Sequence, residues 1–157
     1  MKPEETVDYH VRAVWHAMSR MYNQLGAQHD ISTSMGFVLL NIRTEGGIPA
    51  TKIAPLMGLE SRSLTRMLKS MEAKGLIFKK RDELDRRSVQ IYLTEEGKRR
   101  KQIARDTIRG FNEELRNIIP IKDLEKFFKV MTTVNEYITE QQGVENSFSA
   151  VKLIENN

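Results

Sequence analysis

The chain has 157 residues, of which 29% are charged and 39% hydrophobic, with a formal net charge of +4 and no cysteine. That length suits one domain with a real core, or one compact lobe carrying long helical extensions, rather than two large independent domains. Disulfides, thiolate nucleophiles, cysteine redox sensing and thiolate zinc sites are excluded together by the lack of cysteine.

The N-terminus, MKPEETVDYH, has no apolar signal-peptide core. No apolar run later in the chain approaches the roughly 18 to 20 residues that cross a bilayer, so no membrane association and a cytoplasmic location are expected. From Thr6 to about Gln28, Val7, Val11, Val14, Met18, Met21 or Tyr22, and Leu25 recur at steps of three and four. This spacing predicts a long amphipathic helix, with Trp15 widening its apolar stripe. His10, His16 and His29 share no i, i+3 or i, i+4 spacing that would put two ligands on one helical face, so no metal and no cofactor are expected. In DISTSMGFVLLNIRTEGG, Asp30 or Ser32 can cap a second helix carrying Met35, Val38, Leu39 and Ile42, which Gly46 and Gly47 should stop. IPATKIAPLMG reads as a short helix with Ile53, Leu56 and Met57 inward, Gly58 as terminator, and Pro55 deep enough to remove a backbone bond.

ESRSLTRMLKSMEAKG follows the Gly58 turn, with Glu60 or Ser61 as cap and Gly75 just past the C-terminal end. Two short helices joined by a glycine-containing turn of three or four residues form a helix-turn-helix. LIFKKR then reads as a short strand, and SVQIYL as a half-buried one with Val89, Ile91 and Leu93 inward. Thr94 can cap a helix from about Glu95 to Ile119, with Ile103, Ile108, Phe111, Leu115 and Ile118 apolar and Pro120 as breaker. A last helix carries Leu124, Phe127, Phe128, Met131, Val134 and Ile138, and the tail from 143 to 157 has no firm pattern and is expected to be frayed or weakly docked. The fold class is therefore mainly α with a small β wing of two or three strands: a winged helix-turn-helix lobe (47–94) on a region of long helices (1–46 and 95–142).

Charge is distributed unevenly along this plan. Residues 50–110 hold 16 Lys and Arg against 8 Asp and Glu, a local balance of +8. On a helical wheel of SRSLTRMLKSMEAKG, Leu64, Met67, Leu68 and Met71 span an arc of about 100°, while Arg62, Arg66 and Lys69 lie within about 60° of one another on the opposite side. Thr65 flanks that cationic face, and Ser61 and Ser63 sit at the N-terminal end, where free backbone N–H groups can meet phosphates. Arginine can bond guanine edges in a major groove wide enough for a helix, and serine, threonine and lysine can bond bases or phosphates. The bland alternative is a solvated helix face, common for Lys and Arg, but no acid is interleaved among these three. The hairpin tip RDELDRR packs six charges into seven positions, either as a solvated, internally paired turn or as a probe for the negative potential of a minor groove.

These residues resemble the MarR family of winged-helix transcriptional regulators. Its wing signature is matched by Asp85, Arg87, Leu93 and Thr94, EAKGLI leading into the first wing strand is similar too, and the order of helices fits over about residues 6–140. The resemblance implies that the long helices (1–46 and 95–142) are a dimerisation region, in a homodimer whose first and last helices intertwine and whose two lobes bind one duplex of operator DNA. It implies that residues 61–74 lie in the major groove and that Arg87 enters the minor groove, with Asp85 steadying the wing and Arg86 at a phosphate. It also places an effector pocket between the dimer helices and the lobe, where Trp15, Met18, Tyr22 and Phe37 could line a site for a small aromatic or apolar ligand, or could be plain core or dimer contacts. A ligand-responsive repressor on a pseudo-palindromic operator is the leading expectation. A winged-helix protein-interaction module without DNA reading is the alternative. An enzyme has little support, since clustered histidines, a glycine-rich phosphate loop and a serine motif are all missing.

Overall fold

The structure is a computed structural model that describes residues 1–81 and 88–142. After a single 3-10 turn, α1 (Val7–Ala27) starts where the Thr6 hydroxyl accepts the Tyr9 N–H at 3.3 Å. Ser32 caps α2 (Thr33–Asn41) in the same way, accepting the Met35 N–H at 3.2 Å. The link between them is tight: Asp30 adopts a left-handed conformation (φ 52°), and Asn23 Oδ1 accepts both the N–H and the hydroxyl of Thr33.

α2 ends at Asn41, five residues before the glycine pair expected to stop it. Ile42 turns extended, and its carbonyl accepts the Lys101 ammonium at 2.5 Å instead of an intrahelical N–H. Gly46 and Gly47, both with positive φ, shape the turn into β1 (Ile48–Pro49), a strand too short to leave any alternation in the sequence. α3 (Ala50–Met57) contains Pro55 and stops at Gly58 (φ 59°), where the Leu59 N–H reaches back to Ala54 O at 3.1 Å. α4 is Ser61–Ala73, followed by β2 (Ile77–Arg81) and β3 (Val89–Leu93). The sheet is antiparallel in the order β1-β3-β2, with Ile91 facing Ile48 on one side and Lys79 on the other. The wing thus has three strands among the described residues. α5 (Glu95–Ile118) and α6 (Ile121–Gln142) complete the chain.

One buried cluster joins α2 to the helix-turn-helix and the sheet: Val38, Leu39 and Ile42 meet Ile53, Leu64, Leu68, Met71, Ile77 and Ile91. Each such side chain contributes about 1.5 to 3 kcal/mol relative to exposure, so this cluster is where the fold is held. The division anticipated at residue 46 therefore runs through continuous packing. Ile91 and Leu93 point inward as expected, but Val89, at the far end of β3, is 36% exposed because the sheet extends past the core there.

The lobe is locked to α5 where β2 begins. Gly75 takes a left-handed turn (φ 67°), which lets the Leu76 N–H bond back to Met71 O at 2.9 Å. Thr94 donates its N–H to Leu76 O and its hydroxyl to Gly75 O, and its hydroxyl oxygen accepts the Gly97 N–H at 3.0 Å. Gly97 packs so closely that an added Cβ would overlap the Leu76 carbonyl, which is backbone and cannot swing away. Gly97→Ala is expected to destabilise the protein by about 1 to 3 kcal/mol, read as a lower midpoint in urea unfolding. An unchanged midpoint would show that α5 can shift at no cost.

Candidate nucleic-acid interface

α3 and α4 are joined by three residues, Gly58, Leu59 and Glu60, and their apolar faces meet on one core. Leu64, Leu68 and Met71 are buried and Met67 packs against them, as the wheel predicts. Ser61, Arg62, Ser63, Thr65, Arg66 and Lys69 are all exposed, so the structure brings these six together on one outer face. The Thr65 hydroxyl donates to Ser61 O at 2.8 Å, which leaves its oxygen as an acceptor only. No side chain caps the N-terminus of α4, so its first N–H groups stand open at the positive end of the helix dipole.

Two acids toward the C-terminal end of α4 or packed beside it are engaged elsewhere. Glu72 pairs with Lys79 of β2 at 2.5 Å, and Asp30 pairs with Lys74, tying the end of α4 to the α1–α2 turn. The Lys74 ammonium holds the Asp30 carboxyl below the usual carboxylate range. Among the described residues no acid pairs with Arg62, Arg66 or Lys69. Asp85, Arg86 and Arg87 lie outside the described residues. The strands leading to them carry more positive charge: Phe78 and Tyr92 are stacked 5.3 Å apart, and Lys80 lies 5.6 Å from each ring centre. Sequence reading missed this cation–π group because its members come from two strands and meet only through the Phe78–Tyr92 register.

The four aromatic and Met candidates of the helical arm divide. Phe37 stacks on Trp15 at 6.0 Å and meets the Tyr22 ring edge-on, and Tyr22 in turn contacts Phe111. Burial pushes the Tyr22 phenol pKa up. Tyr22 and Phe37 line a cavity of about 50 Å³ between α1, α2 and α5. Trp15 and Met18 instead line an open cleft between α1 and α6, beside Phe127 and Met131. The four residues thus border two different spaces, linked through the Trp15–Phe37 stack.

A helix-turn-helix with an antiparallel wing, an outward cationic helix and long helical arms defines a winged-helix DNA-binding protein. Residues 31–89 match the MarR family model. The organic hydroperoxide resistance transcriptional regulator of Bacillus subtilis is 35% identical over 117 residues, covering 73% of this chain and 80% of that protein. The chain belongs to the MarR family of DNA-binding transcriptional regulators. The regulator TtmR of Methylorubrum extorquens is 38% identical over 88 residues, 56% of this chain, which spans less than half (45%) of that relative's length. The Staphylococcus aureus MepR–DNA complex superposes with a TM-score of 0.78 at 22% identity, covering 85% of this chain and 98% of MepR, and shares the fold.

Arg66, central on the cationic face, provides the sharpest test of that face. Arg66→Ala is expected to weaken binding to a selected operator by about 1 to 3 kcal/mol and to relax preference at one position, measured by fluorescence anisotropy. An equal loss on operator and random DNA would reduce Arg66 to a phosphate contact.

Proposed function

We propose that the protein is a ligand-responsive repressor that reads a pseudo-palindromic operator as a homodimer, in the bacterial cytoplasm where its DNA lies. The observation that carries this reading is the outer face of α4, where Arg62, Arg66 and Lys69 stand exposed with no acidic partner among the described residues. Two- or three-point bonding by such a face to base edges supplies sequence preference, while the open N-terminus of α4 and the basic β2 strand suit phosphates. In the same reading Arg87 probes the minor groove, steadied by Asp85, with Arg86 at the backbone. Half-sites should then be centred about 10 bp apart. Arg87→Ala should reduce affinity most at sites with a narrow, A·T-rich minor groove, and indifference to that sequence would remove the wing from the reading.

The dimer reading rests on apolar faces that the single chain leaves open. Val14 is 56% exposed on α1, and Phe127 and Phe128 are 56% and 47% exposed on α6. Contiguous apolar surface of this kind marks an interface, and the α1–α6 clefts match what two helices of a second copy would fill. Phe128→Asp should shift the protein from dimer to monomer in sedimentation velocity and lower operator affinity, leaving the lobe folded. A Phe128→Asp protein that stays dimeric would place the interface elsewhere.

The Bacillus subtilis relative is an organic hydroperoxide resistance regulator, whereas this sequence has no cysteine with which to react as a thiolate. A thiolate switch is therefore not available to this chain. The 50 Å³ beside Tyr22 and Phe37 is far below the roughly 300 to 1,000 Å³ of ordinary ligand sites, which favours packing for those two, whereas the α1–α6 cleft bordered by Trp15 and Met18, at about 440 Å³, falls within that range.

A further inference from the structure

Asp30 breaks two local rules. Among the described residues it is the one non-glycine with a positive φ (52°), a conformation that costs most side chains free energy and that aspartate and asparagine tolerate best. It also follows the C-terminal end of α1, where the helix dipole favours a cation over an anion. Glycine or asparagine would suit this turn better, in which the Asp30 N–H bonds to Ala27 O at 3.1 Å and the Ile31 N–H to Gly26 O at 3.0 Å. What the acid alone supplies is a carboxylate for Lys74, 44 residues away in sequence. Lys74 is the C-cap of α4, one turn beyond the buried Met71, on the helix that carries Arg62, Arg66 and Lys69. The Lys74 ammonium, and more weakly the Arg100 guanidinium of α5, favour the ionised carboxylate. Three elements thus converge on one exposed acid: the α1–α2 turn, the end of α4 and the first half of α5.

We propose that Asp30 is a positioning residue for operator reading, acting through Lys74 to fix the angle at which α4 presents its cationic face. Burial of Leu64, Leu68 and Met71 holds α4 on the core, but hydrophobic burial is non-directional and leaves small rotations of the helix cheap. A charge-assisted bond at the end of the helix is directional and opposes them. From Arg66 to its cap at Lys74 the helix rises about 12 Å at 1.5 Å per residue, so a shift at the pair is carried to the reading side chains. Bonds to base edges demand good hydrogen-bond geometry and suffer from such a shift, whereas attraction to phosphates tolerates it. The pair therefore acts on sequence preference rather than on DNA affinity at large. This role rests on α4 reading the operator, as proposed above.

The test is fluorescence anisotropy of the full chain on a duplex selected from random-sequence DNA and on a scrambled duplex of the same composition, at one ionic strength. Removing an acid from a DNA-binding protein by itself raises affinity for any DNA, so the sign of the effect separates the two roles. Asp30→Asn, which suits the left-handed turn, is expected to lower the ratio of scrambled to selected Kd by about threefold or more. Lys74→Met should lower the same ratio to a similar extent, and the double variant no further, because the two residues act as one. An Asp30→Asn protein that binds both duplexes more tightly with its ratio unchanged overturns the proposal, since the acid then only offsets charge. Losses that add in the double variant overturn it as well. Arg66→Ala keeps the two roles apart. A ratio lowered by Arg66→Ala but untouched by Asp30→Asn sinks the positioning role alone, whereas a ratio that Arg66→Ala leaves unchanged removes reading by α4 and the positioning role with it.

Discussion

The carbonyl of Leu76 is the point on which the architecture turns. It lies just past α4, accepts the N–H of the residue that caps α5, and leaves room for nothing larger than a hydrogen at Gly97. The left-handed Gly75 makes this possible by reversing the chain within one residue, which places Leu76 in the core and its carbonyl toward Thr94. Thr94 does two jobs at once, since its hydroxyl donates to Gly75 and accepts from Gly97. The direction of α4, which sets what its outer face meets, is thereby fixed to the direction of α5, which leads to the open apolar surfaces. The Lys74–Asp30 pair at the end of α4 adds a second, more exposed tie to the α1–α2 turn. An exposed pair contributes little stability, so it steers orientation rather than holding the fold.

Much of this was legible in the sequence because it rests on local rules. The caps Ser32 and Thr94, the left-handed glycines at 58 and 75, and the apolar period of α4 each follow from backbone chemistry within a few residues. What was illegible depends on distant partners. β1 is two residues long and exists only because β3 offers it an edge. α2 stops early because the Ile42 carbonyl finds the Lys101 ammonium, 59 residues away in sequence. Lys101 itself sits in the run EEGKRRKQ, which reads as a solvated face, and only the packing of α5 against α2 buries it. Gly97 looks like a flaw near the start of a helix until Leu76 is placed beside it. The cationic face of the candidate interface was legible for the opposite reason: exposed residues obey the wheel without needing to know their neighbours.

Cations on α4 and α5 differ in what solvent does to them. On α4, Arg62, Arg66 and Lys69 are hydrated, so their charge costs little when free and is available to a polyelectrolyte through long-range attraction. Lys101 on α5 is only 5% exposed, and the Ile42 carbonyl accepts its ammonium at 2.5 Å. A hydrated cation favours rapid, salt-sensitive encounter with a polyanion, whereas a buried one that satisfies a backbone carbonyl ties one element to another.

Geometry ties the lobe to the far end of the arm. α5 has 24 residues, about 36 Å at 1.5 Å per residue, and is anchored to the lobe at its first turn. Tilting a rod of that length by roughly 10° moves its far end by about 6 Å, which is close to two base-pair steps of 3.4 Å. In the proposed dimer, two lobes entering major grooves about 34 to 36 Å apart would tolerate little of such an error. A small change in angle at the first turn of α5 is enlarged at the far end, so the bond network around Leu76, with Gly97 packed against its carbonyl, must be stiff for the lobe to keep one orientation relative to the arm.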